Sequence, residues 1–444
     1  MGKTAKKISR FSGGVHPPEE KLTNNLPTEE MPPPKKVYIP LTQHLGAPTR
    51  PVVEVGTEVK VGTKLSEAGG FVSAPVHSSI SGKVTAISDY PHPMGRPMPA
   101  VEIEGDGADE WDKNIKPKKI DSLKPEEIKS IIQEAGIVGM GGATFPTHVK
   151  LSPPKEKPID ILIINGAECE PYLTADHRLM LEAPDSIVSG AKMLGKVLGV
   201  ERIVIGIEDN KMDAVASLKG AALGSEIEVI PLKVRYPQGA EKQLIKTIVG
   251  RSVPSGGLPM DVGVLVQNVG TASAVFEALS LGRPLVSRVT TVTGPGIKNP
   301  KNLKIRIGTP ISDVIDFCGG FVSGVEKVIL GGPMMGIAQY NLSVPVVKGT
   351  SGILVLTEDS LDLTPEGACL RCGNCVRVCP MGLTPLMFGR YTKLGLFDEA
   401  EESNVMDCIE CGCCAYECPS HIPLVHYAKY AKAEIQARRR KAKS

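Results

Sequence analysis

The chain has 444 residues, 41% hydrophobic and 23% charged, with a formal net charge of +2. That is room for two to four domains, each with a core of its own. So small a charge gives no field for nucleic acid, 4% aromatics with one Trp offer few rings for base stacking, and no apolar run nears a membrane span.

Residues 1–35 are rich in Pro and charge, end in Pro32-Pro33-Pro34-Lys35-Lys36, and begin without an apolar secretory region. They predict an extended N-terminal arm rather than a core. Residues 36–105 alternate short β runs with Gly and Pro turns. The string Val55 to Leu65, then Val72-Ser73-Ala74-Pro75 and Ser81-Gly82-Lys83-Val84, resembles the barrel-sandwich of biotinyl and lipoyl domains. Those domains carry a cofactor on a Lys at a hairpin tip. The corresponding tip here is Gly69-Gly70, so an unmodified packing module is expected.

Residues 106–285 read as an α/β core. Helices are predicted over 125–135, 175–198 and 212–222, and strands over 159–164, 203–207, 227–234 and 262–266. Thr271 is the predicted cap of a helix over 272–281. Residues 286–345 hold β runs around Gly294-Pro295-Gly296 and Gly331-Gly332-Pro333, with a short helix over 313–318. They predict a small β-grasp-like domain, followed by a linker over 346–364. The region 365–425 is expected to be a mostly helical cluster domain, with 384–402 helical between its cysteine runs. A basic tail, 426–444, closes the chain.

Within the α/β core, Gly139-Met140-Gly141-Gly142-Ala143-Thr144-Phe145-Pro146-Thr147 reads G-x-G-x-x-T, with Lys150 beyond it. A dinucleotide fingerprint expects a strand before such a loop, and here a helix precedes it. The glycines still let backbone N–H groups approach a phosphate or flat ring. Three strings follow predicted strands: Asn165-Gly166-Ala167-Glu168-Cys169-Glu170-Pro171, Tyr236-Pro237-Gln238-Gly239-Ala240-Glu241 and Gln267-Asn268-Val269-Gly270-Thr271. The carboxyl ends of strands are where open α/β sheets hold ligands, and the third string opens a helix whose N-terminus favours anions.

Nine of the eleven cysteines lie between Cys369 and Cys418, in metal-cluster rather than disulfide spacing, which favours a reducing cytosolic compartment. The runs Cys369-x2-Cys372-x2-Cys375-x3-Cys379-Pro380 and Cys408-x2-Cys411-x2-Cys414-x3-Cys418-Pro419 match the pattern that holds [4Fe–4S] cubes. In two-cluster ferredoxins the fourth Cys of each run serves the other cube. The expected ligand sets are therefore Cys369, Cys372, Cys375 and Cys418, and Cys408, Cys411, Cys414 and Cys379. Zinc held by four cysteines is the competing reading, but it would use paired CxxC motifs without the trailing Pro. Cys413 and Cys318 are expected as buried spare thiols.

The order of the glycine loop with F-P-T, N-x-x-E-x-E-P, Y-x-x-G-x-E and N-V-x-T resembles the flavin- and NADH-binding subunit of respiratory complex I. With the opening Gly13-Gly14-Val15-His16-Pro17-Pro18-Glu19-Glu20-Lys21 and the two cysteine runs, the whole chain resembles the RnfC family, the C subunits of Rnf electron-transport complexes. That resemblance implies an FMN site. Gly139, Gly141, Gly142 and Lys150 would lie at the flavin and its phosphate, and Asn165, Glu168, Tyr236 and Glu241 would line the pocket. Asn268 and Thr271 would hold the ribityl-phosphate end, and Phe145 and Glu170 would face NAD(H). Three positions depart from complex I, which has Gly at Thr144 and acidic residues at Ala167 and Ala240.

The implied role is a peripheral subunit on the cytoplasmic face of the inner membrane. It would move electrons between NAD(H), FMN and two [4Fe–4S] clusters beside membrane subunits and a ferredoxin-like cluster subunit. The alternatives are a soluble relative such as a cobalamin reductase, a relay subunit with an empty flavin pocket, and a zinc-ribbon adaptor.

Overall fold

The computed structural model describes residues 10–118 and 120–442, the side chain of Asp121 excepted. Four packed units follow one another, tied by the N-terminal segment.

That segment is extended as expected, yet its residues Phe11, Val15, Thr23 and Met31 are buried. Gly14 N–H donates to the Val378 carbonyl at 2.8 Å, and Val15 pairs as an antiparallel bridge with Tyr236. Gly13 and Gly14 have φ of 73° and 83°. A Cβ on Gly13 would lie 2.6 Å from the Cys379 carbonyl oxygen, so a side chain is sterically refused there. Lys21 then plugs the α/β core, and Thr28–Glu30 runs parallel to Lys301–Arg306 as an edge strand. The segment works as a strap across three units.

The first unit pairs Lys36–Pro40, Met98–Gly105, Gly82–Tyr90 and Glu58–Val59 in one sheet, beside the short pair Arg50–Pro51 and Ser66–Glu67. Its core is aliphatic, centred on Ile39, Leu65, Ile80 and Ile103.

The α/β core is a four-stranded parallel sheet in the order Glu228–Leu232, Arg202–Glu208, Ile161–Gly166, Val264–Asn268. Its strands are near-continuous apolar runs because both faces are covered. The predicted helix over 175–198 is two helices, Ala175–Glu182 and Pro184–Leu198. Pro184 cannot donate to the preceding turn and opens the second helix instead. The helix Val269–Ser280 starts earlier than predicted. Its cap is Asn268, whose Oδ1 accepts from Gly270 N–H at 2.7 Å, rather than Thr271.

The third unit is a six-stranded mixed sheet in the order 28–30, 301–306, 287–293, 352–357, 325–330, 337–339, with the helix Ile311–Phe317 packed on it. The strand Gly352–Thr357, inside the expected linker, sits at its centre. The last unit is helical. Pro385–Lys393 and Phe397–Glu402 are separated at Gly395 (φ 71°). Much of the expected tail is the helix Leu424–Lys441, which buries Ala428, Ala431 and Ile435 against them. Arg438 and Arg439 pair with Asp398 and Glu401, so part of the basic charge is met within the chain.

Candidate functional site

The parallel register puts Asn268, Asn165 and Gly206 side by side at the carboxyl ends of three strands. The glycine loop folds over this edge. It is closed at its base by a Val138–Pro146 bridge and by Gly139 N–H donating to the Phe145 carbonyl at 2.9 Å. Thr271 Oγ1 accepts from Met140 N–H at 3.0 Å, and Arg288 Nη2 donates to the Met140 carbonyl at 2.8 Å. Gly141 stands against Asn268, where a Cβ would come within 2.8 Å of Nδ2. Asn165 Nδ2 donates to the Gly239 carbonyl at 2.8 Å. Lys150, on the short helix Thr147–Lys150, reaches Glu241 Oε1 at 3.0 Å and the Val266 carbonyl at 3.2 Å.

Gly139 to Gly142, Asn268 and Thr271 are thus one assembly, with Lys150, Glu241, Asn165 and the 236–241 loop along the same edge. Backbone at 141–143 is exposed, whereas Asn268 and Thr271 beneath it are buried. Thr144 holds a left-handed φ of 53°, unusual for a β-branched residue. Its methyl occupies space that exists because residue 349 is Gly. Gln267, 2% exposed, has both amide atoms without a partner, and a buried orphan amide is costly unless something binds it. An exposed glycine backbone over buried polar side chains fits the phosphate and ring of a flavin mononucleotide. Gln267 was not singled out from sequence, although a Gln inside a buried apolar strand is itself a signal.

Two expected pocket residues already have partners of their own. Glu168 accepts from Asp176 N–H (2.9 Å) and His177 N–H (3.2 Å) at the start of the helix Ala175–Glu182. Burial, then the nearby Asp176 carboxylate, raise its carboxyl, and Lys21 opposes them. Lys21 Nζ donates to the carbonyls of Glu168, Glu170 and Leu173 at 3.0, 2.8 and 2.6 Å. Tyr236, 2% exposed, donates its hydroxyl to the Cys411 carbonyl at 2.8 Å. Glu170 accepts from Met334 N–H (3.1 Å) and Met335 N–H (2.9 Å), and burial pushes its carboxyl up to about 7. Glu170 and Tyr236 therefore lie on a seam where α/β core, six-stranded sheet and cluster unit meet. Phe145 is half-buried at the end of the glycine loop.

The two cysteine runs adopt the same backbone path. Left-handed residues recur at matching places: Arg371, Gly373 and Gly382 in the first, Glu410, Gly412 and His421 in the second. Such bends turn successive N–H groups and thiols toward one centre. Cys379 leaves its own run and lies among Cys408, Cys411 and Cys414, which jointly line a small cavity. Cys375 lies close enough to Cys418 and Cys369 for their thiols to act on it electrostatically. Leu383 N–H points at Cys379 Sγ and Glu410 N–H at Cys408 Sγ, both at 3.4 Å. Burial raises the Cys414 thiol and pushes Cys408 up to about 11. A metal or cluster would have to offset that cost of ionisation.

Among the described residues no three His, Cys, Asp or Glu side chains converge on one ion. Cys413 is fully buried, its thiol directed at the Cys411 sulfur and the Tyr236 carbonyl. Cys318 is buried in the core of the six-stranded sheet unit. Cys369 and Cys372 are exposed. Among the described residues no helix is long and apolar enough to cross a membrane.

Four family models match the chain: an RnfC barrel sandwich hybrid domain over residues 9–108, a Nuo51 FMN-binding domain over 132–277, an SLBB domain over 289–338 and a 4Fe-4S dicluster domain over 363–419. The chain is 52% identical over 403 residues to the C subunit of the proton-translocating ferredoxin:NAD(+) oxidoreductase complex of Clostridium ljungdahlii, covering 90% of this chain and 88% of that one. It is 50% identical over 438 residues to the C subunit of the Na(+)-translocating ferredoxin:NAD(+) oxidoreductase complex of Acetobacterium woodii, covering 98% and 99%. It is 42% identical over 399 residues to the C subunit of the ion-translocating oxidoreductase complex of Rhodobacter capsulatus, covering 89% and 77%.

Proposed function

This chain belongs to the family of C subunits of ion-translocating ferredoxin:NAD(+) oxidoreductase complexes, and on that footing we propose that it passes electrons between NAD(H) and its partner subunits through FMN and two [4Fe–4S] clusters. FMN, when bound, joins two-electron hydride exchange to one-electron exchange. The observation that carries the reading is the seam at Tyr236. There the carboxyl-end edge of the flavin-type sheet and the group Cys379, Cys408, Cys411 and Cys414 are joined by a direct hydrogen bond within one chain.

In this reading Gly139, Gly141 and Gly142 present backbone to the flavin and its phosphate, with Lys150 supplying positive charge. Asn268 and Thr271 brace the loop from beneath, and Asn165 and Glu241 close the far side. Glu168 acts as a positioning group that fixes the helix start at Asp176. Tyr236 ties the cluster unit in place, and Phe145 and Glu170 flank the dinucleotide approach. The group Cys379, Cys408, Cys411 and Cys414 holds the cluster nearer the core. Cys369, Cys372, Cys375 and Cys418 hold the outer one, whose exposed thiols suit exchange with another subunit.

The chain would act as a peripheral subunit on the cytoplasmic face of the membrane, beside membrane subunits and a ferredoxin-like cluster subunit. The test is NADH-dependent reduction of an artificial one-electron acceptor by the chain with FMN and both clusters restored. Absence of that activity, with iron, sulfide and flavin at full occupancy, sinks the reading.

A further inference from the structure

The string Gly13 to Lys21 has no place yet in the proposed electron path, although it ends against the loop 167–174. That loop joins the strand Ile161–Gly166 to the helix Ala175–Glu182 and has neither helix nor strand of its own. Tyr172 within it holds a left-handed φ of 69°, which an aromatic residue keeps only when its surroundings impose it. The strap imposes it. Lys21 Nζ donates to three loop carbonyls, Glu168 at 3.0 Å, Glu170 at 2.8 Å and Leu173 at 2.6 Å, which engages all three donors of an ammonium. Tyr172 N–H donates to the Glu19 carbonyl at 2.8 Å, and the fully buried Thr23 and Thr174 hydroxyls meet at 2.5 Å. The strap is fastened from behind as well. Asn210 Nδ2 donates to Glu19 Oε2 at 2.8 Å, and Asn302 Nδ2 donates to the Thr23 carbonyl at 2.8 Å.

With its carbonyls gathered on the ammonium, the loop sends its side chains to other elements. Cys169 Sγ accepts from Gly239 N–H at 3.3 Å, and the carbonyl of the same Gly239 accepts from Asn165 Nδ2 at 2.8 Å. The 236–241 loop is thus gripped from two sides at the edge that carries the proposed flavin contacts. The Glu170 carboxylate meets the backbone at Met334 and Met335, and the Glu168 carboxylate meets it at Asp176 and His177. One ammonium therefore fixes the backbone behind three side chains that shape this side of the site.

We propose that Lys21 is a positioning residue of the NAD(H) site, through which the strap holds the loop 168–173 in its working shape before the dinucleotide arrives. This rests on the NAD(H) reading above. A loop ordered in advance spares the dinucleotide the entropy of ordering it. Released from the ammonium, the loop is ordered only on binding. NADH then binds more weakly, while hydride transfer, which starts from the ordered complex, keeps its rate.

The test compares the FMN- and cluster-loaded chain with its Lys21→Met variant, whose side chain is long but donates nothing. Two readouts are taken: NADH oxidation with an artificial one-electron acceptor, and amide hydrogen exchange over 167–174 with and without saturating NAD+. Lys21→Met raises KM for NADH about ten-fold, the entropy of ordering about one loop residue, with kcat within two-fold. Exchange over 167–174 quickens in the free variant and slows again with NAD+. Flavin and iron contents equal to those of the unsubstituted chain verify folding. In the unsubstituted chain the loop is already protected without NAD+; protection that appears only with NAD+ overturns the proposal, whether or not the variant folds. Quickened exchange at a KM within two-fold makes Lys21 a structural tie alone and overturns it, as does a fall in kcat at unchanged KM; both leave the NAD(H) reading standing. An unsubstituted chain that oxidises no NADH overturns both.

Discussion

The grouping of Cys379 with Cys408, Cys411 and Cys414 makes a prediction that iron counting can decide. Two cubes bring about eight irons per chain, and loss of one thiolate from a cube removes about four. Cys379→Ala is the perturbation, because a serine hydroxyl could replace the lost sulfur. Adding Cys408→Ala strikes the same group again, so iron stays at about four and the two effects do not add. Adding Cys375→Ala instead strikes the group of Cys375, Cys369 and Cys418, so iron falls close to zero. Iron and labile sulfide per chain, with the electron paramagnetic resonance of the reduced protein, are read after anaerobic purification. The reverse pattern refutes the crossed grouping: about four irons in Cys379→Ala with Cys375→Ala, and none in Cys379→Ala with Cys408→Ala. Each run would then hold its own cube, despite the position of Cys379.

Three further outcomes follow from single contacts. Burial pushes the Glu170 carboxyl from its usual 4.5 up to about 7. Between those values the folded chain keeps a proton the unfolded chain has released, so stability falls as pH rises through that window and then levels. Glu170→Gln should flatten the drop and gain about 3 kcal/mol above it, seen as a smaller decline in thermal midpoint from about pH 5 to pH 8; an unchanged slope rejects the assignment. Tyr236→Phe strands the Cys411 carbonyl at a cost of ~1–3 kcal/mol, and amide exchange around 409–418 should quicken, whereas identical exchange would deny the tyrosine any clamping role. Gly141→Ala forces a Cβ against Asn268, a helix cap that cannot yield. FMN affinity should fall by a decade or more, ~1.4 kcal/mol, while Gly220→Ala, on the helix Met212–Ala221 with open space around it, serves as the unaffected control.

Much of this was legible because it is local. The apolar runs at 161–164 and 264–266 announce buried parallel strands, and the repeated cysteine spacing announces paired loops with matching left-handed turns. What escaped was tertiary. Nothing near 352–357 says that this run threads between strands 287–293 and 325–330, because its partners are remote in sequence. Periodicity alone carries a helix straight through 183–184, where Pro184 divides it. Asn268 and Thr271 are both good caps, and only the backbone decides that Asn268 takes Gly270 N–H while Thr271 takes Met140 N–H. Glu168 and Tyr236 were recognisable as strand-end polar residues, but which of their atoms are already spent on a helix start and on Cys411 is a property of packing.

The strap formed by residues 10–31 has a consequence for how the protein is made. It leaves the ribosome first, yet its binding places are Val378, Tyr236 and the strand Lys301–Arg306, all translated much later. Long-range pairings of this kind are slow to close, and domains otherwise settle in the order of their synthesis. This early stretch of the chain is therefore the last to dock. Its Gly13, pressed against the Cys379 carbonyl, can seat only after the loop bearing that cysteine has taken its final path. Completion of the N-terminus becomes a report that the far end of the polypeptide has matured, and a bulky extension fused close before Gly13 should delay that last step more than one placed after Lys441.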